Sequence, residues 1–212
     1  MMKIKKCIEE DGLRDGMRKI ILISTIVGTG FLLLAAAQIT GVPDAGRLDV
    51  ARFTTTDELI YPSDTDRWVF IGASIGGDYS DAEFDPSNPG SIGVVQMEPN
   101  AYAYLQENGE YADGTMFLLT FYETQEKSQP GLNGFVQGNA TSSEIHLIDR
   151  AKFLDQHGFY LYDADAQGSS AMLPPGNACV QCHDQHGDFN STFVQFYPTI
   201  RDLVSQDSNQ AN

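Results

Sequence analysis

Apolar residues dominate both faces of the segment from Thr115 to Tyr122. Successive side chains of a strand point to opposite sides, so Phe117, Leu119 and Phe121 share one face. Met116, Leu118, Thr120 and Tyr122 share the other. One face is therefore expected to pack on a core, and the other is available to line a cofactor pocket. Trp68 to Ile75, Ser91 to Met97, Glu144 to Ile148 and Phe159 to Tyr162 predict further strands from their aromatic and β-branched content. Gly131 to Gly138 is a candidate for a short additional one, and Gly76 to Gly90 predicts a long loop. Glu98-Pro99-Asn100-Ala101 predicts a helix start, because proline fits the first turn, and Ala101, Tyr104 and Leu105 carry the period towards Gly109. Pro174-Pro175-Gly176 stops the sheet, and Pro198 to Val204 predicts a short last helix. The expected fold class is α+β, mainly an antiparallel sheet with a few helices. No internal repeat is visible.

The first 37 residues follow a different pattern. Lys3, Lys5, Lys6, Arg14, Arg18 and Lys19 precede an uncharged run from Ile20 to Ala37, which ends in Ala35-Ala36-Ala37. A basic start, an apolar run and small residues at its end describe a cleaved signal peptide, and a retained membrane anchor is the other reading. Either one carries the remainder across a membrane, to the periplasm or the periplasmic side of the inner membrane. Residues 38–56 mix Gly, Pro, Asp and Thr and read as a linker. Residues 57–205 form the expected domain, and the polar residues 206–212 are expected to be a disordered tail.

Charge sharpens this division. The chain carries a net charge of −16, and six Lys/Arg against four Asp/Glu fall in residues 1–37, leaving 7 basic and 25 acidic side chains in 38–212. A domain at −18 repels nucleic acid, which excludes that class of partner; it suits solubility or a basic redox partner protein.

Cysteine placement brings in the chemistry. Cys7 precedes the apolar run, so only Cys179 and Cys182 reach the exported part, in Cys179-Val180-Gln181-Cys182-His183. A CxxCH motif lets two thiols bind the vinyl groups of one haem while the adjoining imidazole ligates its iron. The alternatives are a CxxC disulfide and part of a zinc site. Zinc wants four ligands around one point, awkward to supply from Cys179, Cys182, His183 and His186 in one short segment. A redox dithiol belongs after a strand in a βαβ pattern that is missing here. The reading is one covalently attached haem c, with His183 on the metal. The motif lies after all the predicted strands and no Met follows it. Met172 precedes it and reads as packing, so the iron is expected to keep an open distal position. His146 reads as structural or surface, with a distal role as the alternative, His157 as exposed in a turn before Gly158, and His186 as solvated or near a propionate. Arg150, Lys152 and Arg201 are candidate propionate partners. Asp163 and Asp165 form no recognisable acid–base pair, and no catalytic residue is assigned.

Several short stretches, in order, carry a resemblance. They are Leu59-Ile60-Tyr61-Pro62, Arg67-Trp68-Val69-Phe70-Ile71-Gly72, Glu98-Pro99-Asn100-Ala101-Tyr102 and Gly109 to Thr115. Leu173-Pro174-Pro175, the CxxCH motif and Phe193 to Pro198 complete them. Over about Glu58 to Arg201 the sequence resembles the cytochrome P460 family, which includes the cytochromes c′-β. The resemblance implies a mainly antiparallel β fold, a homodimer, and one haem c with a proximal histidine. Hydroxylamine-oxidising members carry a haem-linked lysine on the strand after the Asp-Gly-Thr turn, and the position matching it here is Leu119, which has no amine. The c′-β members place apolar side chains over the iron, and Leu119 with Phe117 and Phe121 fits that pattern; Phe84 is a further candidate cap. Ordinary sheet core is the competing account of the three strand residues.

Three functions stay open on this basis. The first is an exported mono-haem cytochrome that binds NO or another small gas for scavenging, transport or sensing. The second is a hydroxylamine- or peroxide-oxidising haem oxidoreductase, and the third a simple electron-transfer cytochrome.

Overall fold

A computed structural model describes residues 46–76, 83–127, 131, 133–164 and 167–204. The expected signal or anchor segment, the first part of the expected linker, Cys7, Asp165 and the 206–212 tail lie outside these residues. Among the described residues no helix is long and apolar enough to cross a membrane.

Five strands form one antiparallel sheet: β2 (Val69–Ile75), β3 (Ile92–Met97), β4 (Thr115–Lys127), β5 (Gly134–Ile148) and β6 (His157–Asp163), in that spatial order. Each strand lies beside its sequence neighbour, so the sheet is a meander. β1 (Leu59–Ile60) and β7 (Ser169–Ser170) form a separate two-stranded pair. Among the described residues, three short α-helices complete the α+β fold: α1 (Pro99–Asn108), α2 (Ala178–His186) and α3 (Pro198–Arg201).

Local chemistry explains where the helices start and stop. The Glu98 carboxylate accepts the Ala101 N–H at 2.8 Å, Pro99 occupies the first turn, and Gly109 ends α1 in the left-handed region at φ 72°. Ala101 and Leu105, four residues apart, form its buried stripe. The Asn177 side chain caps α2 by accepting the Cys179 N–H at 2.9 Å. The last helix is shorter than the expected 198–204.

Alternation along β4 separates two cores. On one side Met116 and Leu118 pack with Leu59, Trp68, Ile145, Leu147, Tyr160 and Tyr162. On the other, Phe117 joins a cluster that includes Ile71, Met97, Leu105, Tyr111, Phe189, Val194 and Ile200. Leu119 and Phe121 continue that second face beyond the cluster.

Several expectations change. The stretch read as linker is packed from Gly46 onward, because Val50, Ala51 and Phe53 cover the first core and Leu48 touches the second. β5 is one continuous strand where two short ones were expected. Its polar middle, Asn139 to Ser143, is held by β4 despite weak strand propensity. His157 is not in an exposed turn. It opens β6 opposite Ile148, and its side chain is 9% exposed. The neighbouring Gly158 serves close packing, since a Cβ there would lie 2.9 Å from the Met172 sulfur.

Candidate haem site

The sheet face carrying Phe117, Leu119 and Phe121 opens into a cavity of about 340 Å³. Its register explains the lining. Val95 on β3 and Glu144 on β5 flank Leu119, and His146 lies across from Phe117. His183 at the end of α2, together with Phe193 and Phe196, supplies the lining from the C-terminal segment. Cys179 and Cys182 lie one turn apart on α2 as free thiols.

His183 sits in an aromatic setting. Its ring centroid is 4.6 Å from those of both Phe159 and Phe193, and 5.5 Å from that of His146. Its Nδ1 is 2.8 Å from the Ser191 carbonyl oxygen. A carbonyl only accepts, so Nδ1 carries the proton and Nε2 keeps the lone pair a metal needs. Burial holds the His183 pKa below the ordinary imidazole value, which favours the neutral, ligating form.

His146 is 7% exposed and stacks on Phe159 at 4.1 Å. Its Nε2 is buried and has no hydrogen-bond partner. Burial, with the neighbouring His183 and His157, pushes its pKa well below the usual value, so this ring is neutral. Glu144 places a carboxyl in the cavity, and burial raises its pKa. The Cys179 thiol is pushed up mainly by burial, with Glu144 next.

These groups fit a haem. Two free thiols and an imidazole with a free Nε2 share one helix, and the cavity beside that imidazole is largely apolar. His146 lines the cavity, and its buried Nε2 is a polar atom that the protein leaves without a hydrogen-bond partner. Among the described residues, no cluster of three or more His, Cys, Asp or Glu is arranged to hold a bare metal ion.

The sequence model of one family, cytochrome P460, matches residues 62–194. The chain belongs to the cytochrome P460 family. It is a haem-binding cytochrome, and the match runs from before β2 through the CxxCH segment to Val194. Among curated proteins, none matches the chain at a significant level.

Within this cytochrome P460 chain, the structure brings Phe117, Leu119, Phe121 and His183 to one cavity. Phe84 lies elsewhere. It is 58% exposed, packs over Gly76, and does not line the cavity. The three basic candidates for propionates have carboxylate partners: Arg150 with Asp113, Lys152 with Asp57 and Arg201 with Asp202. His186 is exposed on α2. Met172, 45% exposed, bridges Tyr160 at the sheet edge and is not in the cavity lining.

Glu144, His146 and Ser191 were not picked out as site residues. For the first two a signal existed: they alternate with Ile145 and Leu147, so a core position for the latter sends both to the opposite face. Ser191 had none, because its part is played by a backbone carbonyl.

Proposed function

We propose that this chain is an exported cytochrome that holds one haem covalently through Cys179 and Cys182, with His183 as the axial ligand. Its other axial position, in apolar surroundings, takes NO or a similar small neutral gas for scavenging, transport or sensing. The observation that carries this reading is the shared cavity of His183 with Phe117, Leu119 and Phe121. When bound, haem supplies an iron at which a diatomic gas coordinates. The chain's own part is to orient the imidazole through Ser191, keep it neutral by burial, and keep water off the gas side with Leu119 and the two phenylalanines. Phe117, Leu119 and Phe121 offer no hydrogen bond to bound O₂ or peroxide, which tilts selection towards NO and CO, and Glu144 is the lining group that works against this tilt.

Export rests on the basic start and the apolar run from Ile20 to Ala37. The compartment is the periplasm, with either release after cleavage or tethering to the inner membrane. The family resemblance adds a homodimer, and the acidic surface favours a basic redox partner.

A second reading, oxidation of hydroxylamine, is favoured by Glu144. This carboxyl stands across from Leu119 in the same cavity, where it would accept a proton from a bound substrate. Leu119 itself counts against it, since it lacks the amine of the haem-linked lysine.

The electronic spectrum of the purified protein, with CO and NO titrations, separates these readings. Five-coordinate high-spin ferrous haem that binds both gases, without hydroxylamine turnover, is the expected result. Leu119→Ala should then change CO association severalfold. Turnover of hydroxylamine to a nitrogen oxide overturns the gas-binding reading, and a six-coordinate low-spin spectrum favours electron transfer.

A further inference from the structure

Behind the His183 imidazole lies a set of polar contacts that haem attachment alone does not require. The acceptor of its Nδ1 proton belongs to Ser191, which adopts φ 54° directly after Asn190 at φ 46°. Two consecutive non-glycine residues in the left-handed region are costly, and such a turn persists only where its surroundings hold it. The hold is visible. Ser191 Oγ donates to Asp184 Oδ1 at 3.1 Å. The same Oδ1 is 3.0 Å from Nε2 of His157, a polar contact off the line of a hydrogen bond. His157 belongs to β6, so this contact joins the helix that bears the ligand to the sheet.

The fit around the turn is tight. Gly187 donates its N–H to the His183 carbonyl at 2.8 Å, and a Cβ at Gly187 would fall 2.5 Å from the Ser191 carbonyl carbon. Between Asp188 and Thr192 the chain doubles back, with the Asp188 N–H donated to the Thr192 carbonyl at 2.9 Å. Ser191 therefore sits at the tip of a small closed turn whose side-chain tether runs to Asp184.

We propose that Asp184 is the positioning residue of the axial imidazole. It tethers Ser191 through Oγ so that the Ser191 carbonyl keeps the His183 Nδ1 proton, and His157 fixes Asp184 against the sheet. A firmly held acceptor on Nδ1 makes Nε2 a stronger donor, so the tether sets how strongly the imidazole binds iron. This rests on the reading of His183 as the haem ligand.

The test uses the haem-loaded ferrous CO form, which is diamagnetic, and follows solvent exchange of the His183 Nδ1 proton by NMR. Asp184→Asn is expected to speed that exchange about tenfold, the scale of one weakened hydrogen bond. The same variant should lower the iron–histidine stretching frequency of the CO-free ferrous protein and raise its reduction potential. Asp184→Glu, which keeps the charged carboxylate, should recover part of each change. Ser191→Gly removes Oγ but favours the left-handed backbone, and it tests the same tether if Asp184→Asn does not accumulate. Arg47→Met, distant in its contacts, controls for lost stability and should move none of the three. Haem-loaded Asp184→Asn or Ser191→Gly with unchanged exchange and stretching frequency overturns the proposal alone. A wild-type protein without attached haem overturns the ligand reading and this proposal with it.

Discussion

Glu144 is the residue whose chemistry least matches its surroundings. It stands between Leu119 on β4 and Leu161 on β6 in a largely apolar cavity, and burial raises its pKa. A carboxyl with a raised folded-state pKa supports the fold in its protonated form. That contribution is complete below the unfolded-state value and is lost as pH rises through the raised folded-state value. Ionisation of Glu144 is therefore a burden on the haem-free protein. Glu144→Gln should shift the urea midpoint upward at neutral pH and converge with wild type under acid conditions. Comparing the two proteins at each pH cancels the opposing effect of His146, whose protonation at low pH is disfavoured by burial. Equal midpoints across the range would place Glu144 in contact with water. His183 illustrates what one residue discloses in advance. Its motif suggests a ligand, but the tautomer that leaves Nε2 free depends on a carbonyl eight residues away, which side-chain identity does not encode.

Among the elements, β4 was readable throughout and β5 only at its two ends, for a physical reason. Apolar side chains on both faces of Thr115 to Tyr122 express two cores directly. The middle of β5, Asn139 to Ser143, is polar and joins the strand because β4 offers it a ladder from Tyr122 back to Thr120. The segment before β1 was misjudged in the opposite sense. Its Gly and Pro content points to a loop, but a loop can be pinned by a few contacts. Arg47 makes a two-pronged pair with Asp149, at 3.1 and 2.8 Å, and Asp149 is 3% exposed. Asp149 also accepts the backbone N–H groups of Ala151 and Lys152, so the turn between β5 and β6 shares its anchor. Arg47→Met should cost about 1–3 kcal/mol in urea unfolding, the range for losing a charged hydrogen-bonded partner. An unchanged midpoint would mean that the apolar contacts of Val50, Ala51 and Phe53 suffice to hold the segment.

At the scale of the molecule, excess negative charge opposes folding. Residues 38–212 carry 7 basic side chains against 25 acidic ones, and the cations facing known acids are used locally. Self-repulsion of this kind is screened by salt. Thermal unfolding should therefore move to higher temperature as sodium chloride is added towards physiological strength. A fall would show that local ion pairs outweigh the repulsion. Fold class and the CxxCH segment were legible together because both depend on short-range pattern. The cavity was not, since it needs Leu119, Glu144, His146 and His183 from three separate elements.

The meander has a bearing on how the protein matures. Every strand of the sheet pairs with its immediate predecessor, so these contacts are local and form early. The lining drawn from the sheet, Ser74 to Phe159, precedes the thiols and the imidazole along the chain. One half of the cradle is thus complete before the segment that must receive the cofactor has been made. Docking of α2 then brings the His183 ring against Phe159 and His146, filling space beside the cavity. On the proposed reading, maturation becomes a contest between two clocks: attachment at Cys179 and Cys182 would have to precede the folding of the chain around its own His183.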